Sequence, residues 1–331
     1  MAESKAASWK HRPEGGTRGA LALIVAIARH GGRGLARLCL YPITLYFLCT
    51  RGPERRASRA WLARARGRRA GSWAVARHIH HFASTILDRL YLLGGQTWRF
   101  DIRVHGLQPL ADLVERGQGA LLFGSHLGSF DALRVLSRER PGLRVRIVLD
   151  RSQNPVLTGI FDALDPSLAS GVIDGGQPGA AIALEIQHAL QAGELVALLV
   201  DRAQGHEDTA EVAFLGATAR LPLAPWKLAA ALHAPVLLCF GLYGGGNRYD
   251  LHFESFLHPA TVPPPPRGER DRWLRQCVAG YAARLEHHAR LAPLNWFNFY
   301  DFWSDRPDEA PTDVAAAPAA VRAGPAVRRG A

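Results

Sequence analysis

One short segment, Gly124-Ser125-His126-Leu127-Gly128-Ser129-Phe130-Asp131, brings together residue types that can move a proton. The apolar run Gly117 to Gly124 (GQGALLFG) reads as a strand entering it, and Asp131 to Arg138 as a helix leaving it. His126 then stands at the carboxyl end of a strand, the edge where open α/β sheets hold their ligands. Asp131 falls in the first turn of the next helix. A chain that turns back at Gly128 can lay that carboxylate on the imidazole, fixing its tautomer and raising its basicity. The other ring nitrogen is then placed to take a proton from an acceptor hydroxyl or amine. Gly124, Ser125, Gly128 and Ser129 are small enough to let a substrate approach the backbone, and the N–H groups of the turn are candidates for an oxyanion site.

Other chemistries fit less well. A serine-hydrolase elbow needs Gly-x-Ser-x-Gly, but here His126 occupies the central place and Ser125 comes one position early. Such an exposed histidine suits transfer directly between two substrates rather than through an acyl-serine. His78, His80 and His81 lie on one predicted helix without an evident third ligand, so they read as a polar face and no metal is expected. Gly244-Gly245-Gly246 lacks the Lys-Ser/Thr of a phosphate loop, and Gly171 to Gly179 lacks GxGxxG spacing. Cys39, Cys49, Cys239 and Cys277 form no CxxC pair and no disulfide framework, as in a reducing compartment.

The elements that would position His126 alternate. Ser72 to Leu93 reads as a long amphipathic helix, with Ile79, Phe82, Ile86 and Leu90 at helical spacing. Strands are expected at Arg144 to Asp150, Glu194 to Asp201, Pro235 to Tyr243 and Tyr249 to Phe256. Helices are expected at Pro155 to Leu164, Ala180 to Gln191, Leu223 to Leu232 and Asp271 to Ala289. This predicts an α/β fold with a mostly buried sheet flanked by helices. The aromatic run Trp296 to Trp303 is either core packing, a membrane-facing belt or the wall of a lipid pocket. The Ala-, Pro- and Arg-rich residues 305–331 read as a disordered tail.

The charge is unevenly placed. The 331 residues carry a net +11, yet residues 1–70 hold 15 Lys or Arg against 3 acidic residues and the remainder hold 25 against 26. Two apolar runs, Gly19 to Ala28 and Leu38 to Thr50, lie within that basic segment, separated by Arg29, Arg33 and Arg37. Neither reaches the roughly 20 residues of a bilayer span. Apolar N-terminal helices on an anionic membrane surface, with arginine heads snorkelling, are expected rather than a nucleic-acid-binding face. The chain thus divides into a basic membrane-associating segment (1–70), a catalytic domain (71–304) and the tail (305–331).

From about Trp9 to Trp303 the sequence resembles the glycerolipid and lysophospholipid acyltransferase superfamily, most closely its bacterial lipid A late (lauroyl/myristoyl) acyltransferase branch. The resemblance is carried by the His-x4-Asp block at His126 and Asp131 and by later blocks in order. These are Arg151-Ser152-Gln153-Asn154-Pro155, Val200-Asp201-Arg202-Ala203-Gln204-Gly205, Phe214-Leu215-Gly216, Pro222 and Ala234-Pro235-Val236. Two features depart from that branch. Arg202 replaces the usual His or Gln, and Phe297-Asn298-Phe299-Tyr300-Asp301 follows Trp296 where an arginine pair is usual. These departures point to a sister group, similar to enzymes of polyene or other specialised lipid synthesis.

The resemblance implies a glycerolipid acyltransferase-like fold on the cytoplasmic face of a bacterial inner membrane. It implies transfer of a fatty acyl group from a thioester, on acyl carrier protein or coenzyme A, to a hydroxyl or amine of a lipid or glycolipid. No further cofactor is implied. His126 is the expected base and Asp131 its orienting partner, while Asp201, Phe214 and Gly216 are expected substrate-binding positions. Arg151 and Arg202 both follow strand ends, and their guanidinium forks suit the phosphate of a head group or of phosphopantetheine. Salt bridges to Asp150 or Asp201 are the alternative for these arginines. Rival functions are a non-catalytic lipid-binding protein on the same fold and an acyl-thioesterase.

Overall fold

The computed structural model describes residues 25–133, 143–150, 171–203, 207–259, 261 and 263–303. The expected Arg151 block, the helix at Pro155 to Leu164, most of the helix after Asp131 and the tail lie outside these residues.

Residues 25–30 are helical, and α1 (Gly32–Thr50), α2 (Gly52–Arg66) and α3 (Ser72–Leu93) follow. The chain continues as β1 (Asp101–His105), α4 (Gln108–Glu115) and β2 (Ala120–Gly124). A 3-10 turn (Phe130–Leu133), β3 (Val145–Leu149), β4 (Val172–Asp174), α5 (Gly179–Gln191) and β5 (Leu195–Leu199) come next. The remainder is β6 (Thr209–Phe214), β7 (Ala217–Pro222), α6 (Ala224–Leu232), β8 (Val236–Gly245), β9 (Arg248–Leu257) and α7 (Arg270–Leu291).

Seven strands form one sheet in the order β1-β9-β8-β2-β5-β3-β4, and β6 and β7 make a separate antiparallel hairpin. β8, β2, β5, β3 and β4 run parallel; β9 is antiparallel to β8 and carries β1 beside it. The uninterrupted apolar run of β2 reflects burial on both faces. Successive side chains alternate sides, so Leu121 and Phe123 enter one core with Trp226 and Tyr281, while Ala120 and Leu122 enter the other with Leu87 and Tyr91. Helices α1 and α2 join these same cores through Ala36, Leu40, Trp61 and Leu62.

One expectation about the N-terminal helices changes. Arg33 and Arg37 do not snorkel. Arg33 grips Asp88 through Nε and Nη2, each at 2.8 Å, and Arg37 donates to the Tyr243 hydroxyl at 2.9 Å. Asp88 is fully buried, so its charge needs this partner and the Tyr249 hydroxyl, which donates to it at 3.0 Å. With the arginines turned inward, the outer face of α1 is left apolar: Leu35, Leu38, Tyr41, Leu45 and Tyr46 are all exposed. Among the described residues no helix is long and apolar enough to cross a membrane.

Candidate active site

β2 and β5 pair in parallel up to the rung Gly124↔Leu199. His126 and Asp201 each lie two residues beyond that rung, at the same level on the carboxyl edge. The Asp201 Oδ1 oxygen accepts a hydrogen bond from His126 Nδ1 at 2.8 Å. Asp201 is the acceptor because its carboxyl is ionised: burial opposes its charge, but the imidazole, Arg202 and the Asn298 amide together hold its pKa down at about 2. The proton of the neutral ring is therefore on Nδ1, and Nε2, with no hydrogen bond among the described residues, carries the ring's lone pair. The imidazole side chain is 27 % exposed, whereas Asp201 is sealed. Burial lowers the His126 pKa, Asp201 opposes that, and Arg202 and Arg89 push it down again.

The loop between His126 and Asp131 is pinned flat against the sheet. Leu127 bridges Trp296, and Gly128 bridges Gly241 of β8. Gly128 has φ +86°, and a Cβ there would lie 2.0 Å from the Gly241 carbonyl oxygen. Only glycine fits this approach. The pinning carries Asp131 past the ring toward α3, where it accepts from Arg89 Nε at 2.5 Å. This corrects the expected Asp131–imidazole contact: the carboxylate on the ring is Asp201, and Asp131 holds an arginine instead.

Three of the expected oxyanion donors are also committed elsewhere. The Leu127 N–H donates to Ser125 Oγ at 3.2 Å, that of Gly128 to the Asn295 carbonyl at 2.7 Å and that of Ser129 to the Gly241 carbonyl at 2.7 Å. Ser125 and Ser129 are buried and hold the turn. Gly124 packs under the Phe130 ring, leaving no room for a Cβ. These four small residues shape the loop rather than line an open surface.

Arg202 follows Asp201 and is held by the segment after α7. Its Nε donates to Asn298 Oδ1, its Nη2 to the Phe297 carbonyl at 3.4 Å, and its guanidinium lies 5.5 Å from the centre of the Tyr300 ring. Asn298 in turn donates from Nδ2 to Asp201 Oδ2 at 3.0 Å. Phe214 stands apart from the imidazole, buried among Trp61, Trp296, Phe302 and Trp303. Gly216 forms the β6–β7 turn at φ +75°. Neither reaches His126; both support the layer behind the loop, since Trp296 packs on Phe214 and bridges Leu127.

His78 is no part of an open polar face. It is fully buried, bonding Ser58 Oγ at 2.8 Å and the Trp296 carbonyl at 2.5 Å. Among the described residues no group of three or more His, Cys, Asp or Glu could hold a metal ion. Arg151 lies outside the described residues.

Sequence reasoning missed Arg89 and Asn298. Arg89 sits seven residues after Phe82, on the stripe of α3 that faces the 297–299 segment. Asn298 is the lone amide in an aromatic run, and a buried amide among rings must find polar partners. That was its available signal.

A largely parallel sheet with a buried carboxylate aligning an accessible imidazole at its carboxyl edge defines an α/β protein equipped for proton-transfer chemistry. Residues 86–304, about two thirds of the chain, match the family described as bacterial lipid A biosynthesis acyltransferase. The chain belongs to that family, whose members are acyltransferases. No curated protein matches it.

Proposed function

We propose that this protein transfers a fatty acyl group from a thioester, on acyl carrier protein or coenzyme A, to a hydroxyl or amine of a membrane lipid, with His126 as general base. The observation that carries this reading is the His126–Asp201 hydrogen bond, which leaves Nε2 as the basic nitrogen of a partly exposed ring. Nε2 takes the proton as the acceptor oxygen or nitrogen attacks the thioester carbonyl. The C–S bond of the tetrahedral intermediate then breaks, and the leaving thiolate takes the proton back from the imidazolium. The products are an ester or amide and a free thiol. Asp201 holds the tautomer and stabilises the transient imidazolium without itself accepting the proton. Arg89 and Arg202, both close enough to depress the imidazole, supply positive potential for the oxyanion. Asp131 acts through Arg89.

A lipid acceptor requires the protein to work at a bilayer. The exposed stripe Leu35, Leu38, Tyr41, Leu45 and Tyr46 supports interfacial docking, and the neighbouring arginine-rich α2 supports an anionic surface. The cytoplasmic face of a bacterial inner membrane is the site that fits an intracellular thioester donor.

The test is a donor-consumption and lipid-product assay with acyl carrier protein and coenzyme A thioesters, each with and without membrane lipid. Acylated lipid should form in the wild type and not in a folded His126→Ala variant. Normal acylation by that variant, or thiol release that ignores the lipid, would sink the reading.

A further inference from the structure

The buried Asn298 amide lies between two oppositely charged groups adjacent in sequence. Its Nδ2 donates to Asp201 Oδ2 at 3.0 Å, and its Oδ1 accepts from Arg202 Nε. The orientation is unambiguous, because a carboxylate only accepts and a guanidinium only donates. Asp201 has two oxygens: Oδ1 serves His126 and Oδ2 serves Asn298. No direct ion pair joins Asp201 to Arg202, although the two are adjacent and oppositely charged, Asp201 buried and Arg202 partly buried.

We propose that Asn298 is a positioning residue, a neutral spacer that keeps Arg202 off Asp201 so that the full carboxylate charge remains on His126. This deepens the reading of His126 as the base and rests on it. A guanidinium closing bidentately on Asp201 would be the stronger pairing in a buried site. It would draw the carboxylate away from the ring and cancel its charge. The amide prevents this by satisfying both groups at once. It also fixes the carboxylate plane through Oδ2, and so aims Oδ1 at Nδ1. The same bond holds the guanidinium beside the Tyr300 ring.

The spacer role predicts pH shifts of opposite sign in two substitutions. In Asn298→Ala, Arg202 can reach Asp201 and the imidazole becomes a weaker base. The acid limb of kcat should move to lower pH, and the plateau should fall about 10- to 100-fold, within the range of general-base contributions. In the near-isosteric Asn298→Asp, a second carboxylate joins the group and the limb should move to higher pH. Adding Arg202→Gln to Asn298→Ala should bring the limb back toward higher pH, because the competing cation is gone. A merely structural role would give losses with an unmoved limb.

The experiment is the pH profile of kcat for these three proteins, with folding checked by thermal unfolding and His126→Ala assayed alongside. Opposite shifts, with the limb returning in the double variant, support the proposal. If His126→Ala is inactive but the Asn298 variants keep the wild-type limb, or shift it in one common direction, the spacer is refuted while the base stands. If one single variant fails to fold, the limb of the other decides: no shift to lower pH in Asn298→Ala, or no shift to higher pH in Asn298→Asp, overturns the proposal. Activity in His126→Ala overturns both.

Discussion

Asp201 and His126 stand at the same height above the sheet, each two residues past the rung Gly124↔Leu199 that ends the pairing of β2 with β5. Parallel strands in register bring their continuing chains out side by side, so two residues 75 apart in sequence meet at 2.8 Å. The partner expected from local sequence, Asp131, is held away by the pinned loop and bonded to Arg89.

The two aspartates should therefore differ in weight. Asp201→Asn removes the charge behind the imidazole and should lower kcat by roughly 10²-fold or more. Asp131→Asn acts only through Arg89 and should cost less, about 10-fold or below on the same scale. Steady-state turnover of the two variants checks this. A larger loss in Asp131→Asn would reassign the ring's partner.

The rate requires a neutral imidazole. Since the His126 pKa lies below its ordinary 6.5, kcat should rise with pH through a limb below 6.5 and stay flat above it. Asp201 raises that pKa, so Asp201→Asn should move the limb further down; Arg89 lowers it, so Arg89→Gln should move it up. A limb above 6.5 in the wild type would contradict the site electrostatics.

His78 ties stability to pH. Burial holds its pKa at about 3, against 6.5 for an unfolded ring. Between these values the unfolded ring binds a proton and the folded ring does not, so stability should fall as pH drops from 6.5 toward 3. The same sign applies to His81, held at about 4. Denaturant unfolding at pH 7, 5.5 and 4 should show the decline, and His78→Gln should flatten it in part. An unchanged slope in His78→Gln would remove His78 as its source.

Gly128→Ala should destabilise the loop by at least about 2 kcal/mol, combining strain at positive φ with overpacking. Its Cβ would sit 2.0 Å from a backbone oxygen that cannot rotate away. A thermal-unfolding midpoint equal to that of the wild type would show that the bridge to Gly241 is dispensable.

Leu38→Ser with Leu45→Ser should leave folding unaffected, because both side chains are about 60 % exposed. Cosedimentation with anionic phospholipid vesicles should drop, while high salt should release the unaltered protein only partly, since apolar contacts are not screened. Undiminished sedimentation of the double variant would place the docking surface elsewhere.

Much of this architecture is legible in the amino-acid order. Helix α3 runs from Ser72 to Leu93 as its periodicity requires, and the apolar runs of β2, β5 and β8 announce a sheet buried on both faces. The edge strand β1 escaped notice because Asp101-Ile102-Arg103-Val104-His105 carries the polar residues of a solvent-facing border. The hairpin β6–β7 escaped because its short alternating segments meet at Leu215-Gly216, with Leu215 itself at positive φ.

Local sequence also determined that His126 would follow a strand and enter a tight turn, because hydrophobic patterning and small residues act over a few positions. Which carboxylate met the ring depended on which strand lay beside β2. Strand adjacency arises from packing across the whole chain, and no short-range pattern encodes it. The same holds for Asn298: an amide among aromatic side chains is visible in the sequence, but its placement between Asp201 and Arg202 exists only once the segment after α7 folds back over the carboxyl edge of the sheet.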